Sequence, residues 1–291
     1  MEAGEQEGGL SFFSSRHSSH DQAWSFPGVS ISVICIACLV ETLEAADVLN
    51  IRKRKALREI VELLSRNDQL LRELSIHIQV SLHLAKAILS LITTENYGLA
   101  ELAIEGVLQL VCRLKSEELA REVIDKLDAQ FHDVANVRKL HPAFVLLGKL
   151  LNSIPPLVHE INTTKTELVV YFLSNVAFPD ENIQCALFYI FDLLCKDGAQ
   201  GLDSNLVAMI LKASCEALSS VKRQEVQTNA LSVMRCLCRS NKVSLFQDTV
   251  NVGGEVETVH KKKDFLLAKA LKKVILSPDS ALQVKQFLDN T

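Results

Sequence analysis

Aromatic residues are scarce in this chain, at 5%, and 11 glycines and 6 prolines supply little turn material for 291 residues. Those shortages weigh against a β-sandwich or barrel, which needs frequent turns between short strands rich in β-branched and aromatic residues. The formal net charge is only −4, so no global field marks the whole chain as a nucleic-acid binder, and any such binding has to be local. Long hydrophobic runs are missing too. The longest mostly apolar stretch, residues 29–40 (VSISVICIACLV), falls short of the roughly 20 residues that a membrane-spanning helix takes. As a secretory core it starts late and follows Glu2, Glu5, Glu7 and Asp21 with only Arg16 against them. It reads as a buried first helix.

The chemistry of common enzymes is equally thin. Gly253-Gly254 has no partner glycines and no following Lys-Ser/Thr, so it is not a phosphate loop. No G-x-S-x-G occurs, and His159-Glu160 lacks the second histidine of H-E-x-x-H. Cys35-Ile-Ala-Cys38 is a C-x-x-C and Cys236-Leu-Cys238 a C-x-C. Both lie in expected helices rather than in the loops a structural zinc site uses, so they read as core thiols. Eight cysteines spread through apolar frames do not make the dense framework of a small secreted domain, which points to a reducing compartment. The expectation is a non-enzymatic chain with no cofactor, no metal, no small-molecule substrate and no membrane partner.

What is abundant is helical periodicity. Counting from an alanine, positions 0, +1, +4, +7 and +8 are all apolar in five copies: Ala56, Leu57, Ile60, Leu63, Leu64; Ala103, Ile104, Val107, Leu110, Val111; Ala143, Phe144, Leu147, Leu150, Leu151; Ala186, Leu187, Ile190, Leu193, Leu194; and Ala230, Leu231, Met234, Leu237, Cys238. That spacing is one face of a 3.6-residue helix. The alanines step by 40 to 47 residues, the period of arrays in which two or three helices make one unit. The fold class that follows is all-α, an armadillo/HEAT-like right-handed α-solenoid of about five repeats. Residues 1–28 form a Gly/Ser-rich tail without helical period, expected to be disordered, and 29–291 the repeat domain, with neither end carrying an evident polar cap, as expected of a piece of a longer array.

Local signals place the helices. Asp68 is expected to cap a long helical segment reaching Ile92, Asn96 the helix through Lys115, and Ser116 with Glu117 and Glu118 the next. Pro142 stands inside the start of the third copy, Pro155 and Pro156 break the chain, residues 164–177 make a further helix, and Asp180 and Asp203 cap the two that follow. Residues 223–240 carry the fifth copy, and 259–277 read as a basic amphipathic helix.

Two basic clusters remain. Arg52, Lys53, Arg54, Lys55 and Arg58 open the first copy, and Lys261, Lys262, Lys263, Lys269, Lys272 and Lys273 line the late helix. Each reads as a solvated face, a localisation signal or a phosphate-binding patch. No aromatics are interleaved among the late lysines, so a single-strand stacking platform is not indicated.

A helical array presents a long surface, and such surfaces bind proteins. Nuclear-import receptors share this apolar frame and place Trp at +2 and Asn at +6 to grip a basic peptide. Here +2 is Arg58, Glu105, Val145, Phe188 and Ser232, and +6 is Glu62, Gln109, Lys149, Asp192 and Cys236. The ladder is absent, with Phe188 and Asp192 its nearest match. Residues 140–198, LHPAFVLLGKLLNSIPPLVHEINTTKTELVVYFLSNVAFPDENIQCALFYIFDLLCKDG, resemble the animal meiosis inhibitor protein 1 family in overall wording. The likeness extends back towards Arg52 and forward to the end, outside the N-terminal tail. The resemblance implies an armadillo-like nuclear scaffold needed for meiotic double-strand breaks and chromosome synapsis, working with other break-formation accessory proteins. It also implies a fragment or short isoform of a longer protein, and it transfers no catalytic residue. The alternatives are a cytoplasmic adaptor or transport factor of the same architecture, and DNA binding through the late lysines.

Overall fold

A computed structural model describes residues 24–27, 33–196, 199–220 and 223–239. The chain divides into two compact units, residues 1–146 and 147–291. Among the described residues the first holds a short antiparallel pair, β1 (Ser25–Pro27) and β2 (Val33–Cys35), then α1 (Ile36–Glu44), α2 (Asn50–Arg66), α3 (Asp68–Ile76), α4 (Ile78–Leu89), α5 (Tyr97–Leu114), α6 (Glu117–Asp133), a 3-10 turn (Val137–Leu140) and the start of α7 (His141–Ser153). The second continues with α8 (Pro156–Thr164), α9 (Thr166–Asn175), α10 (Glu181–Cys195), α11 (Ser204–Ser220) and α12 (Gln224–Arg239). The chain is all-α in class and armadillo-like in its repeating helix groups.

The five apolar frames fall on α2, α5, α7, α10 and α12. Every frame position is buried, apart from Cys238, whose side chain lies outside the described residues. A fully buried Leu or Ile is worth about 1.5–3 kcal/mol, so these stripes are the main force holding each helix to its neighbours. In the first unit α2 lies along α5, and in the second α10 lies along α12. Corresponding helices of successive repeats therefore stack side by side.

The polar links between repeats carry the same period. In the first unit Gln130 Nε2 donates to the Leu89 carbonyl at 3.2 Å, Lys139 pairs with Glu95 at 2.9 Å, and Arg113 with Asp68 at 3.3 Å. In the second, Arg223 bonds Asn182, Asn229 Nδ2 donates to the Cys185 carbonyl at 3.2 Å, and the Cys236 thiol lies 3.8 Å from Asp192 Oδ1. Each joins residues 41 to 45 apart, the same interval as the alanines, although the frame was read from apolar positions alone.

Helix starts follow side-chain caps. Asn96, Ser116 and Asp180 accept from the backbone N–H groups of Leu99, Leu119 and Asn182, and Asp203 accepts from Asn205, all as expected from sequence. Pro156 opens α8 at its first position, where the missing N–H costs nothing.

Three local expectations need correction. Residues 29–40 do not form one helix. The β-branched Val33 and Ile34 extend into β2, paired in register with Pro27 and Phe26, and α1 starts only at Ile36. Ser25 to Pro27, within the stretch read as tail, form β1, with Phe26 1% exposed. Second, the helix expected from Asp68 to Ile92 breaks at His77 (φ −105°, ψ 71°). Its apolar stripe changes phase there, from Leu70 and Leu74 to Val80 and Leu84. The buried Ser81 hydroxyl donates 2.7 Å to the Leu74 carbonyl, satisfying one of the acceptors that the end of α3 leaves open. Third, the cap of α3 is Asn67, which accepts from Leu70 N, with Asp68 as the first helical residue.

In the second unit the turn after α10 is clamped from α8. Asn162, 2% exposed, donates through Nδ2 to the carbonyls of Leu194 (2.9 Å) and Gln200 (3.0 Å). Gly201 sits beside it at φ +86°, where a Cβ would lie 2.7 Å from Thr163 Cγ2. Close helix approach is set by another glycine. A Cβ on Gly148 of α7 would lie 2.8 Å from Cδ1 of the Tyr189 ring on α10.

Three single substitutions test this packing. Gly148→Ala is expected to lower the thermal midpoint, because overpacking costs about 1–3 kcal/mol against the ~1 kcal/mol an alanine adds to a helix, and Gly148→Ala with Tyr189→Leu should recover it. Gly106→Ala, whose Cβ would meet Leu57, Val61 and Ile88 at 3.4 Å, is expected to be neutral or mildly stabilising. Asn162→Ala strands the buried Leu194 carbonyl and frees that of the exposed Gln200, for a loss of roughly 1–3 kcal/mol in denaturant unfolding.

Candidate interaction surface

With the apolar face of each frame helix used for packing, the positions flanking it decide what the surface can do. At +2, Arg58 and Glu105 are exposed, Val145 and Ser232 half-buried, and Phe188 is 1% exposed. Phe188 instead packs edge-on against Phe191, with ring centroids 6.0 Å apart. It is a core residue and cannot grip a peptide. Asp192 at +6 faces Cys236, its counterpart one repeat later. A large ring at +2 of a frame flanked by smaller residues is as easily core as ladder, which is why the sequence could not decide between them.

Tyr189 is half-buried, with its phenol pushed up by burial and by the Asp192 carboxylate. Among the positions that flank the frames of α7, α10 and α12, Lys149 is exposed and Asn229, Ser232 and Cys236 are half-buried. Asn229 bonds Cys185 and Cys236 faces Asp192.

The titratable groups elsewhere are arranged for structure. His83 Nε2 lies 2.8 Å from Glu44 Oε1, while His77 and His132 face Glu73 and Asp128 one helical turn back. Such exposed pairs contribute only tenths of a kcal/mol. Lys139 bonds the exposed Glu95 and holds its carboxyl below the usual range. No group of three or more His, Cys, Asp or Glu able to hold a metal ion occurs among the described residues, and no described helix is long and apolar enough to cross a membrane.

Cys35 and Cys38, expected within one helix, instead straddle the junction of β2 and α1, with Cys35 as the buried residue before the helix. Burial, the Cys35 side chain hydrogen-bonded to it and the nearby Cys35 and Glu41 charges push the Cys38 thiol up to about 11. Burial likewise pushes up Cys185. A nucleophilic thiol needs the opposite shift.

Of the two basic clusters, the late one (Lys261, Lys262, Lys263, Lys269, Lys272 and Lys273) lies outside the described residues. The early one occupies the first turns of α2. There Arg52, Arg54, Lys55 and Arg58 are exposed and Lys53 half-buried, and the helix has neither an acid in its first turn nor a side-chain cap. The sequence placed these cations on a helix, but not the residues of α5 that lie beside them. That proximity depends on the stacking of repeats.

Comparison with known proteins adds to this geometry. The family model of the meiosis inhibitor protein 1 N-terminal domain matches residues 34–287. Meiosis inhibitor protein 1 of Homo sapiens is 27% identical over 286 residues, covering 96% of this chain, and that of Mus musculus is 27% identical over 274 residues, covering 92%. The chain spans 22% of the length of each. An engineered protein of known crystal structure superposes over 88% of this chain and 97% of its own with a TM-score of 0.51 at 13% identity, a likeness of fold alone.

The thiol environment makes a direct prediction. Near pH 7.5, Cys38 should react with iodoacetamide roughly 10-fold more slowly than an ordinary cysteine, because the loss of thiolate between a pKa of 9.0 and about 11 is only partly offset by the greater nucleophilicity of the more basic thiolate. Denaturation should abolish the difference, as read by peptide mass spectrometry.

Proposed function

Because the chain belongs to the meiosis inhibitor protein 1 family, through that family's N-terminal domain, we propose that it is a non-enzymatic protein-binding scaffold of meiosis. The observation that carries the reading is that the family match runs across all five frames, whose apolar faces are committed to holding repeat against repeat. What is left on each unit is a polar surface with dispersed charges, suited to holding partners rather than to turning over a substrate. In the finer reading the scaffold works in germ-cell nuclei, is needed for double-strand break formation and chromosome synapsis, and takes other break-formation accessory proteins as its partners. The family resemblance supports these points, and the chain stands for 22% of the length of its relatives.

Proximity labelling in germ-line nuclei tests the reading, with the intact chain as bait against a variant carrying Leu187→Asp, Ile190→Asp and Leu193→Asp. Three carboxylates in the core of α10 should unfold the second unit. The intact chain is expected to mark meiotic break-formation proteins and the variant to lose them. Labelling of cytoplasmic transport or cytoskeletal proteins instead would assign the array to an adaptor outside the nucleus.

A further inference from the structure

The early basic cluster does not stand alone. Three large apolar side chains protrude beside it: Leu49 and Ile51 at the start of α2 are 69% and 75% exposed, and Tyr97 at the start of α5 is 73% exposed. Arg54 ties the two helix starts together, since a Cβ on Gly98 would lie 3.4 Å from its guanidinium carbon. Leu49, Ile51 and Tyr97 thus edge one corner of the first unit, interleaved with Arg52, Lys53, Arg54 and Arg58. Within the described residues these four cations have no ion pair; only Lys55 reaches an acid, Glu59, at 4.0 Å. Folding does not explain this composition. Cations in the first turn of a helix oppose its dipole, and exposed Leu and Ile gain nothing from water.

We propose that this corner docks an acidic, apolar-anchored peptide segment of a protein partner. The inference rests on the protein-binding reading above and gives that reading a place and a partner chemistry. Charge complementarity selects acid, and arginine favours carboxylates through paired hydrogen bonds. The apolar trio selects a partner with apolar side chains of its own, which a nucleic-acid backbone does not offer. The lysines at 261–273 repeat the corner's sign, so that segment of the chain is not the occupant.

Fluorescence anisotropy on the full chain tests this with a labelled peptide bearing Leu and Phe at helical i, i+4 spacing among Glu and Asp. Saturable binding is expected, weakening as salt rises, with ~10-fold losses for Ile51→Asp and for Arg54→Glu with Arg58→Glu. Arg52→Glu with Lys53→Glu should weaken binding while raising the melting temperature, a combination that a purely structural role would not produce. Absence of saturable peptide binding overturns the inference. So does tighter binding, indifferent to Ile51→Asp, of a duplex of about 20 base pairs or of anionic vesicles. Peptide binding that emerges only after removal of residues 1–23, which carry Glu2, Glu5, Glu7 and two phenylalanines, overturns it as well, by assigning the corner to the chain itself. If proximity labelling succeeds and the peptide does not bind, the scaffold reading stands and this corner is not where it grips. If the peptide binds and labelling fails, the reverse holds.

Discussion

A helix that is apolar along one face cannot keep that face in water, and no single repeat of this chain is large enough to cover its own. Everything else in the structure depends on that constraint. α2 has to find α5, and α10 has to find α12, because each supplies the surface the other lacks. Positions where helices come closest are held by the smallest residues, the frame alanines together with Gly106 and Gly148. Stability in such an array is built from neighbour-to-neighbour terms, so each frame matters locally and none is a global keystone.

The part of the fold legible in the sequence was the part that repeats. Alanine at 0 with large apolar residues at +1, +4, +7 and +8 is a statement about burial, and burial is what the frame residues have. Helix starts were legible where an Asn, Ser or Asp could reach the third residue of the helix, as at Asn96, Ser116 and Asp180. Features set by a single tertiary contact were not legible. Val33 and Ile34 fit a helix or a strand equally well until Phe26 pairs with Ile34. The break at His77 depends on a phase change in the apolar stripe and on a bond from the Ser81 hydroxyl, neither of which is a breaker by type. Phe188 looked like a ladder residue until Phe191 claimed its ring.

The candidate surface was legible only in halves. The cations at 52–58 stand out in the text, yet Leu49, Ile51 and Tyr97 are ordinary apolar letters in an apolar sequence. Their exposure is a tertiary fact, and Tyr97 reaches the corner only because repeats one period apart are stacked. Burial shifts the Cys38 and Cys185 thiols away from reactivity, and His77, His83 and His132 face carboxylates.

The links between residues 41 to 45 positions apart have a consequence for how such a chain can change length. A bond such as Asn229 to the Cys185 carbonyl does not refer to absolute position, only to an offset of one period. Removing or adding one whole period would leave apolar stripe facing apolar stripe, since every frame carries the same five buried positions. A change of half a period would set polar groups against apolar stripes. The whole repeat is therefore the unit in which an array of this kind can lengthen or shorten without unburying its frames, as a ladder gains or loses rungs.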